Sequence, residues 1–153
     1  MRILLNADAD LTWRGLHDDS TLLMSALLGG NPEILQILLN TKRVPLDATD
    51  HHGDTVLMLA SEPHRDCEGL DPDVDIVTLL LDAGADVTLK DKDGRTALMR
   101  AQRSLQAVTE AKQVEALETI ITLLERRESE MVVEGEASEG EAESEAESES
   151  ESE

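Results

Sequence analysis

Asp75-Ile-Val-Thr-Leu-Leu-Leu-Asp-Ala-Gly-Ala-Asp-Val87, followed after three intervening residues by Asp91-Lys-Asp-Gly94-Arg-Thr96, is the stretch whose reading decides the fold. Ile76 to Leu81 is a short apolar run of helical type. Gly84 suits the end of that helix, where a left-handed residue lets orphan carbonyls be satisfied. Gly94 stands two residues before Thr96, whose hydroxyl can accept a free N–H from the first turn of a second helix. The stretch therefore reads as helix, turn and helix start.

The same pattern recurs on either side. Thr21-Leu-Leu-Met-Ser-Ala26, Thr55-Val-Leu-Met-Leu-Ala60 and Thr96-Ala-Leu-Met-Arg-Ala101 all read Thr-x-Leu-Met-x-Ala, and Gly53 precedes Thr55 as Gly94 precedes Thr96. Apolar second segments follow each: Ile34 to Leu39, Ile76 to Leu81 and Ile120 to Leu124. Each helix is too short and too narrow in apolar surface to stand alone, so neighbours must stack to bury a continuous core.

On these residues the chain resembles the ankyrin-repeat family, whose period is about 33 residues and whose first helix opens Thr-Pro-Leu-His-x-Ala. The Thr, Leu and Ala are kept here and Met takes the His position. The resemblance implies an all-α solenoid of helix-turn-helix repeats with β-turn fingers over residues 1–127: a partial repeat at 1–15, then repeats at about 16–48, 49–89 and 90–127. It leaves residues 128–153 unmatched.

Several positions depart from the pattern. The distance from first Thr to second-helix Ile is 13 residues in the first repeat (21 to 34), 21 in the second (55 to 76) and 24 in the third (96 to 120). The second repeat's extra residues, around Glu62 to Pro72, read as a loop; the third's, around Ser104 to Val114, lack Gly and Pro and are expected to lengthen helices. Asp19 stands where Gly53 and Gly94 stand, and Arg43 stands where Gly84 stands, so those turns are expected to be less regular. Leu4-Leu-Asn-Ala-Asp-Ala-Asp-Leu-Thr12 resembles Leu80 to Thr88, as if the chain opened near the end of a second helix. Either upstream residues precede it, which we favour, or Ile3 to Leu5 improvise a cap.

Composition bounds the rest. The chain has 153 residues, about one domain, with hydrophobic residues at 40% and aromatics at 1%, so any core is aliphatic. Its 34 acids and 13 bases give −21, the opposite of what phosphate-binding surfaces or anionic membranes require. One cysteine permits no intramolecular disulfide. Asn6, Asp8 and Asp10 end the opening apolar run far short of the roughly 7–15 residues of a signal sequence. A cytoplasmic or nuclear monomer is the expectation. Residues 128–153 hold twelve Glu and no Lys, Arg or Asp, which leaves 22 acids against the 13 bases, or −9, in residues 1–127. Like charges at that density read as a disordered acidic tail.

The candidates for chemistry are weak. Asp71, Asp73, Asp75 and Asp82 mimic calcium-loop spacing, but Ile76 stands where that loop needs Gly. Those acids read better as helix N-terminal charges. His51-His52 and His64-x-x-Cys67 lack the paired spacing of a zinc site, and Asp66 and Glu68 would raise the Cys67 thiol pKa. No phosphate loop, nucleophile elbow or His-Glu-x-x-His occurs. We expect no catalytic residues, metal or cofactor. Met24, Met58 and Met99 read as repeat core rather than as an adaptable binding stripe.

What remains is binding. In ankyrin proteins the turn fingers and the inner first helices contact partners. Carried over by position, the resemblance implies partner-binding residues His17, Asp18 and Ser20, then Thr49, His51, His52 and Asp54, then Lys90, Lys92, Asp93 and Arg95. The expected function is a non-catalytic adaptor or scaffold binding another protein. The alternative is a chaperone or inhibitor of a basic protein, such as a ribosomal protein or histone, that uses the acidic tail. A merely solubilising tail is the plain reading of that segment. Ser138, Ser144, Ser148 and Ser150 each have Glu three residues later and are phosphorylation candidates.

Overall fold

The computed structural model describes residues 10–63 and 72–151, with side chains through Val132. The opening segment through Ala9, the candidates His64, Cys67 and Asp71, and most of the 62–72 insertion lie outside the described residues.

Among the described residues six helices follow one another: α1 (Leu22–Leu28), α2 (Pro32–Thr41), α3 (Val56–Ala60), α4 (Val74–Asp82), α5 (Ala97–Ala107) and α6 (Ala111–Glu151). They pair as hairpins, α1 on α2, α3 on α4 and α5 on α6. The hairpins stack into two layers: α3 lies between α1 and α5, and α4 between α2 and α6. Among the described residues, strand pairing is limited to one antiparallel bridge, Arg14 to Thr21.

The three threonines start the inner helices as their pattern requires. Thr21, Thr55 and Thr96 are extended, and each hydroxyl accepts a backbone N–H three residues on, from Met24, Met58 and Met99, at 3.3 Å. Pro32 opens α2, where its missing N–H has no helical role to fill. Asp73 caps α4 by accepting from Asp75 and Ile76 N–H at 2.9 and 3.4 Å. The acids of the calcium-like spacing that the structure describes thus serve a helix start, with Ile76 buried inside it.

The core is aliphatic. Leu23, Met24, Leu35, Leu38, Leu57, Met58, Val77, Leu80, Leu117, Ile120 and Leu124 run through it as one cluster. Met24 and Met58 are buried because a further inner helix covers each. Met99, on the last inner helix described, is 49% exposed.

The departures from the repeat have structural counterparts. The third hairpin's added residues lengthen α5 to 11 residues, but Val108 turns extended and breaks the helix before α6. At the end of α4, Gly84 is left-handed (φ +96°), and Gly84 and Ala85 N–H close the helix on Leu81 and Leu80 carbonyls. At the end of α2 the left-handed residue is Lys42 (φ +53°), and with Ile34–Leu39 set on Ile76–Leu81 it is Lys42, not Arg43, that stands opposite Gly84. Asp10 and Thr12 repeat the local bonds of Asp86 and Thr88: each aspartate accepts from a threonine N–H at 2.9 Å. Leu11 and Val87 are buried at matching positions.

Packing runs past Arg127, where the composition changes. Arg127 Nη2 lies 3.3 Å from Asp82 Oδ1, and Met131 lines a depression with Leu81 and Ala85. The α6 backbone is helical to Glu151. Ser138, Ser144, Ser148 and Ser150 fall there, beyond the described side chains. A stretch of glutamates with no base to offset them is consistent with a disordered tail.

Candidate protein-binding surface

Ahead of each hairpin the chain makes a finger turn, and each of the three is held by an aspartate. Asp50 Oδ1 accepts from His52 and Asp54 N–H at 2.8 and 3.0 Å, and Asp91 Oδ1 accepts from Asp93 and Arg95 N–H at 2.9 Å each. The turns close through Asp50 N–H to Asp54 carbonyl and Asp91 N–H to Arg95 carbonyl, with Gly53 and Gly94 left-handed. Gly53 has a second reason to be glycine: a Cβ there would stand 2.9 Å from Lys92 N, because the third finger lies against it.

The first finger is one residue longer. It closes from Gly15 N–H to Ser20 carbonyl, and Asp19 takes the left-handed position at φ +56°. Aspartate tolerates that conformation better than most residues. Leu16 stands where the second finger has Asp50, so Asp18 takes over the holding role by accepting from Ser20 N–H at 3.2 Å. Leu16, relieved of any turn function, is 95% exposed. Hydrogen bonds from Ser20 hold the Asp18 carboxyl below the ordinary carboxylate range.

The fingers are stitched to one another. His51 N–H and ring Nδ1 both reach the Asp18 carbonyl, at 3.0 and 2.7 Å. A carbonyl only accepts, so Nδ1 carries a proton there. Lys92 N–H donates to the His52 carbonyl at 3.1 Å. Arg14 Nη1 donates to the Thr49 carbonyl at 2.6 Å and to the Asp19 carbonyl at 3.2 Å.

This row carries the sequence candidates. His17, Asp18, His51, His52, Lys90, Lys92 and Asp93 are exposed; Ser20, Thr49 and Arg95 are half-buried. The His51 and His52 rings lie 3.7 Å apart between centroids, tilted by 44°. Arg95 is tied to Asp91 at 3.2 Å and to Asp93.

Asp54 does not belong to that outer row. It is 7% exposed and faces Arg100 of α5, whose Nη1 lies 2.8 Å from Asp54 Oδ1. The contact is a close ion pair, although that N–H is not aligned for a hydrogen bond. Arg100 Nη2 donates to Glu62 at 2.7 Å, and Asp91 Oδ2 lies 4.0 Å from Nη1. Burial disfavours the Arg100 charge, but the carboxylates of Asp54, Glu62 and Asp91 more than offset it and raise its pKa. Asp91 follows the same logic with reversed sign. Burial pushes its pKa up, while N–H bonds from Arg95 and Asp93 and the charges of Arg95 and Arg100 bring it below the ordinary value.

Arg100, Glu62, Arg14 and Leu16 are absent from the residues implied by the resemblance. The one signal for Arg100 was its place in Thr-x-Leu-Met-x-Ala, where the other copies carry Ser25 and Leu59. Among the described residues no three His, Cys, Asp or Glu side chains come together as a metal site. No described helix is long and apolar enough to cross a membrane.

Comparison with known proteins agrees with this geometry. Over 54 residues the chain is 43% identical to Protein HOS4 of Saccharomyces cerevisiae, a stretch that is 35% of this chain and 5% of that protein. The chain thus spans only a small fraction of that relative's length. A family model for ankyrin repeats, in three copies, matches residues 1–91. With hairpins stacked in two layers and fingers joined edge to edge, the chain belongs to the ankyrin-repeat family, whose repeats generally mediate protein–protein interaction and are typically non-catalytic.

Proposed function

We propose that this protein is a non-catalytic adaptor that engages one partner protein through its finger row and the adjoining inner helices. One observation carries the reading. The exposed His17, Asp18, His51, His52, Lys90, Lys92 and Asp93 project from turns whose backbones are already bonded to one another. Such a row is preorganised, so a partner does not have to order it on binding. Ser20, Thr49 and Arg95 flank the contact, and Asp54 supports it from within through Arg100.

The test captures partners from cell lysate with the full chain, with a His51→Ala/His52→Ala/Lys92→Ala variant, and with residues 1–132, which keep the described packing. The adaptor reading expects the full chain and 1–132 to retain the same partner at physiological salt and the triple variant to lose it. A second reading rests on the twelve tail glutamates, which suit a flexible holder of a basic protein. It expects capture by the full chain and by the triple variant but not by residues 1–132, removed by salt. That result would replace the adaptor with a chaperone.

A further inference from the structure

We propose that Ser138, Ser144, Ser148 and Ser150 are phosphoacceptors for a serine kinase that recognises a carboxylate three residues after its target. Each has one there: Glu141, Glu147, Glu151 and Glu153. None of the serines at 20, 25, 61, 104 and 129 does; their third residues on are Leu23, Leu28, His64, Ala107 and Val132. Residues 128–153 contain no Lys or Arg, so nothing in the segment repels a cationic substrate groove. Charge-assisted contacts from that groove to the glutamates would set the register.

The structure holds Ser129 in place. Its hydroxyl donates to the Glu125 carbonyl at 2.9 Å. It also sits in the part of α6 fixed to the body, beside Arg127, which pairs with Asp82 at 3.3 Å and with Glu130 at 3.7 Å. The four acceptors follow Val132, in a segment whose composition gives a packed core nothing to bury.

In the reaction the serine Oγ forms a bond to the γ-phosphorus of a nucleoside triphosphate. The bond to the bridging oxygen breaks, the diphosphate leaves, and the hydroxyl proton passes to the kinase base. Four phosphates would add roughly −6 to −8 to the tail at neutral pH. The tail would become a graded polyanion whose charge is set by a signal. This inference does not depend on which partner the fingers bind.

The full chain is incubated with ATP and a purified serine kinase of that specificity, and sites are read by mass spectrometry. Phosphate is expected on Ser138, Ser144, Ser148 and Ser150, with Ser129 and the four serines before it unlabelled. The variants Glu141→Gln, Glu147→Gln, Glu151→Gln and Glu153→Gln should each slow their own serine by about tenfold, as loss of one charged contact implies. Their melting temperatures should match the parent, since a glutamate-rich segment without bases adds nothing to a packed core. Absence of phosphate, rates indifferent to the four substitutions, or comparable labelling of Ser129 would overturn the proposal.

Discussion

Replacing Arg100 by methionine removes a charge at the junction of three carboxylates while keeping an apolar stem. Arg100 and Asp54 side chains are 12% and 10% exposed, so neither is well hydrated. Loss of the guanidinium falls unevenly. Glu62, with a side chain 25% exposed, can turn to water. Asp91 keeps two N–H bonds and the Arg95 Nε contact at 3.2 Å. Asp54 has no other side-chain ion pair among the described residues and takes most of the penalty. Breaking a buried ion pair from one side costs about 3–5 kcal/mol, and the partial solvent access of Glu62 puts this case near the low end, about 3 kcal/mol. For a domain of this size that is a fall in Tm of roughly 10 °C. Removing both partners should restore most of it, because a neutral pair leaves no buried charge uncompensated. Urea denaturation of the parent, Arg100→Met, Asp54→Asn and the double variant closes a mutant cycle. Coupling of about 1 kcal/mol or more is expected for residues in direct contact. If the two single losses simply add, the pairing does not hold the fingers to α5 and the reasoning fails.

The remaining predictions concern the turns and caps. Asp91 has a folded pKa below its ordinary value of 3.8, so its contribution is present above that pH and lost as pH falls through the folded value. Urea midpoints should therefore drop on acidification below about pH 4, and Asp91→Asn should lower the midpoint at pH 7 while flattening that dependence. Gly53→Ala combines positive φ with a Cβ 2.9 Å from Lys92 N, whereas Gly94→Ala meets open space. Both should destabilise, with Gly94→Ala costing about 1 kcal/mol from backbone strain alone and Gly53→Ala clearly more; equal losses would show that the finger stacking is not tight. Thr55→Val keeps shape but removes the acceptor for Met58 N–H, and a loss of about 1 kcal/mol is expected by thermal melting.

Features set by neighbours within one repeat were legible from the residues. The threonine caps and the Gly84 turn each follow from a residue and its few nearest positions. Features set by distant partners were not. Asp54 was assigned to the surface because its place in the finger is a variable one. Arg100, 46 positions on, draws it inward, and Glu62, 38 positions before Arg100, joins them. The irregularity expected at Asp19 is present as an extra residue. Its cause is that Leu16 replaces the holding aspartate, a comparison that needs all three fingers in register. The left-handed residue that ends α2 is Lys42, whose N–H closes on the Leu39 carbonyl as Gly84 N–H closes on Leu81; it falls where the repeat places it, and the register that put Arg43 there is one residue off.

The finger row also constrains how a partner could be recognised. An extended peptide adds to a protein edge when unpaired N–H and C=O groups line it. Between the fingers those groups are used: His51 N–H binds the Asp18 carbonyl and Lys92 N–H binds the His52 carbonyl. The aspartates at positions 50 and 91 take further N–H groups within each turn. Strand addition along the row therefore has little backbone to pair with, and recognition falls to side chains. The third finger offers Lys90 and Lys92, the second offers two adjacent histidines, and the first offers Asp18, Asp19 and the bare Leu16. A partner that matches this order meets cation, imidazole, then acid and an apolar tip, a sequence of contacts that fixes direction as well as position along the row.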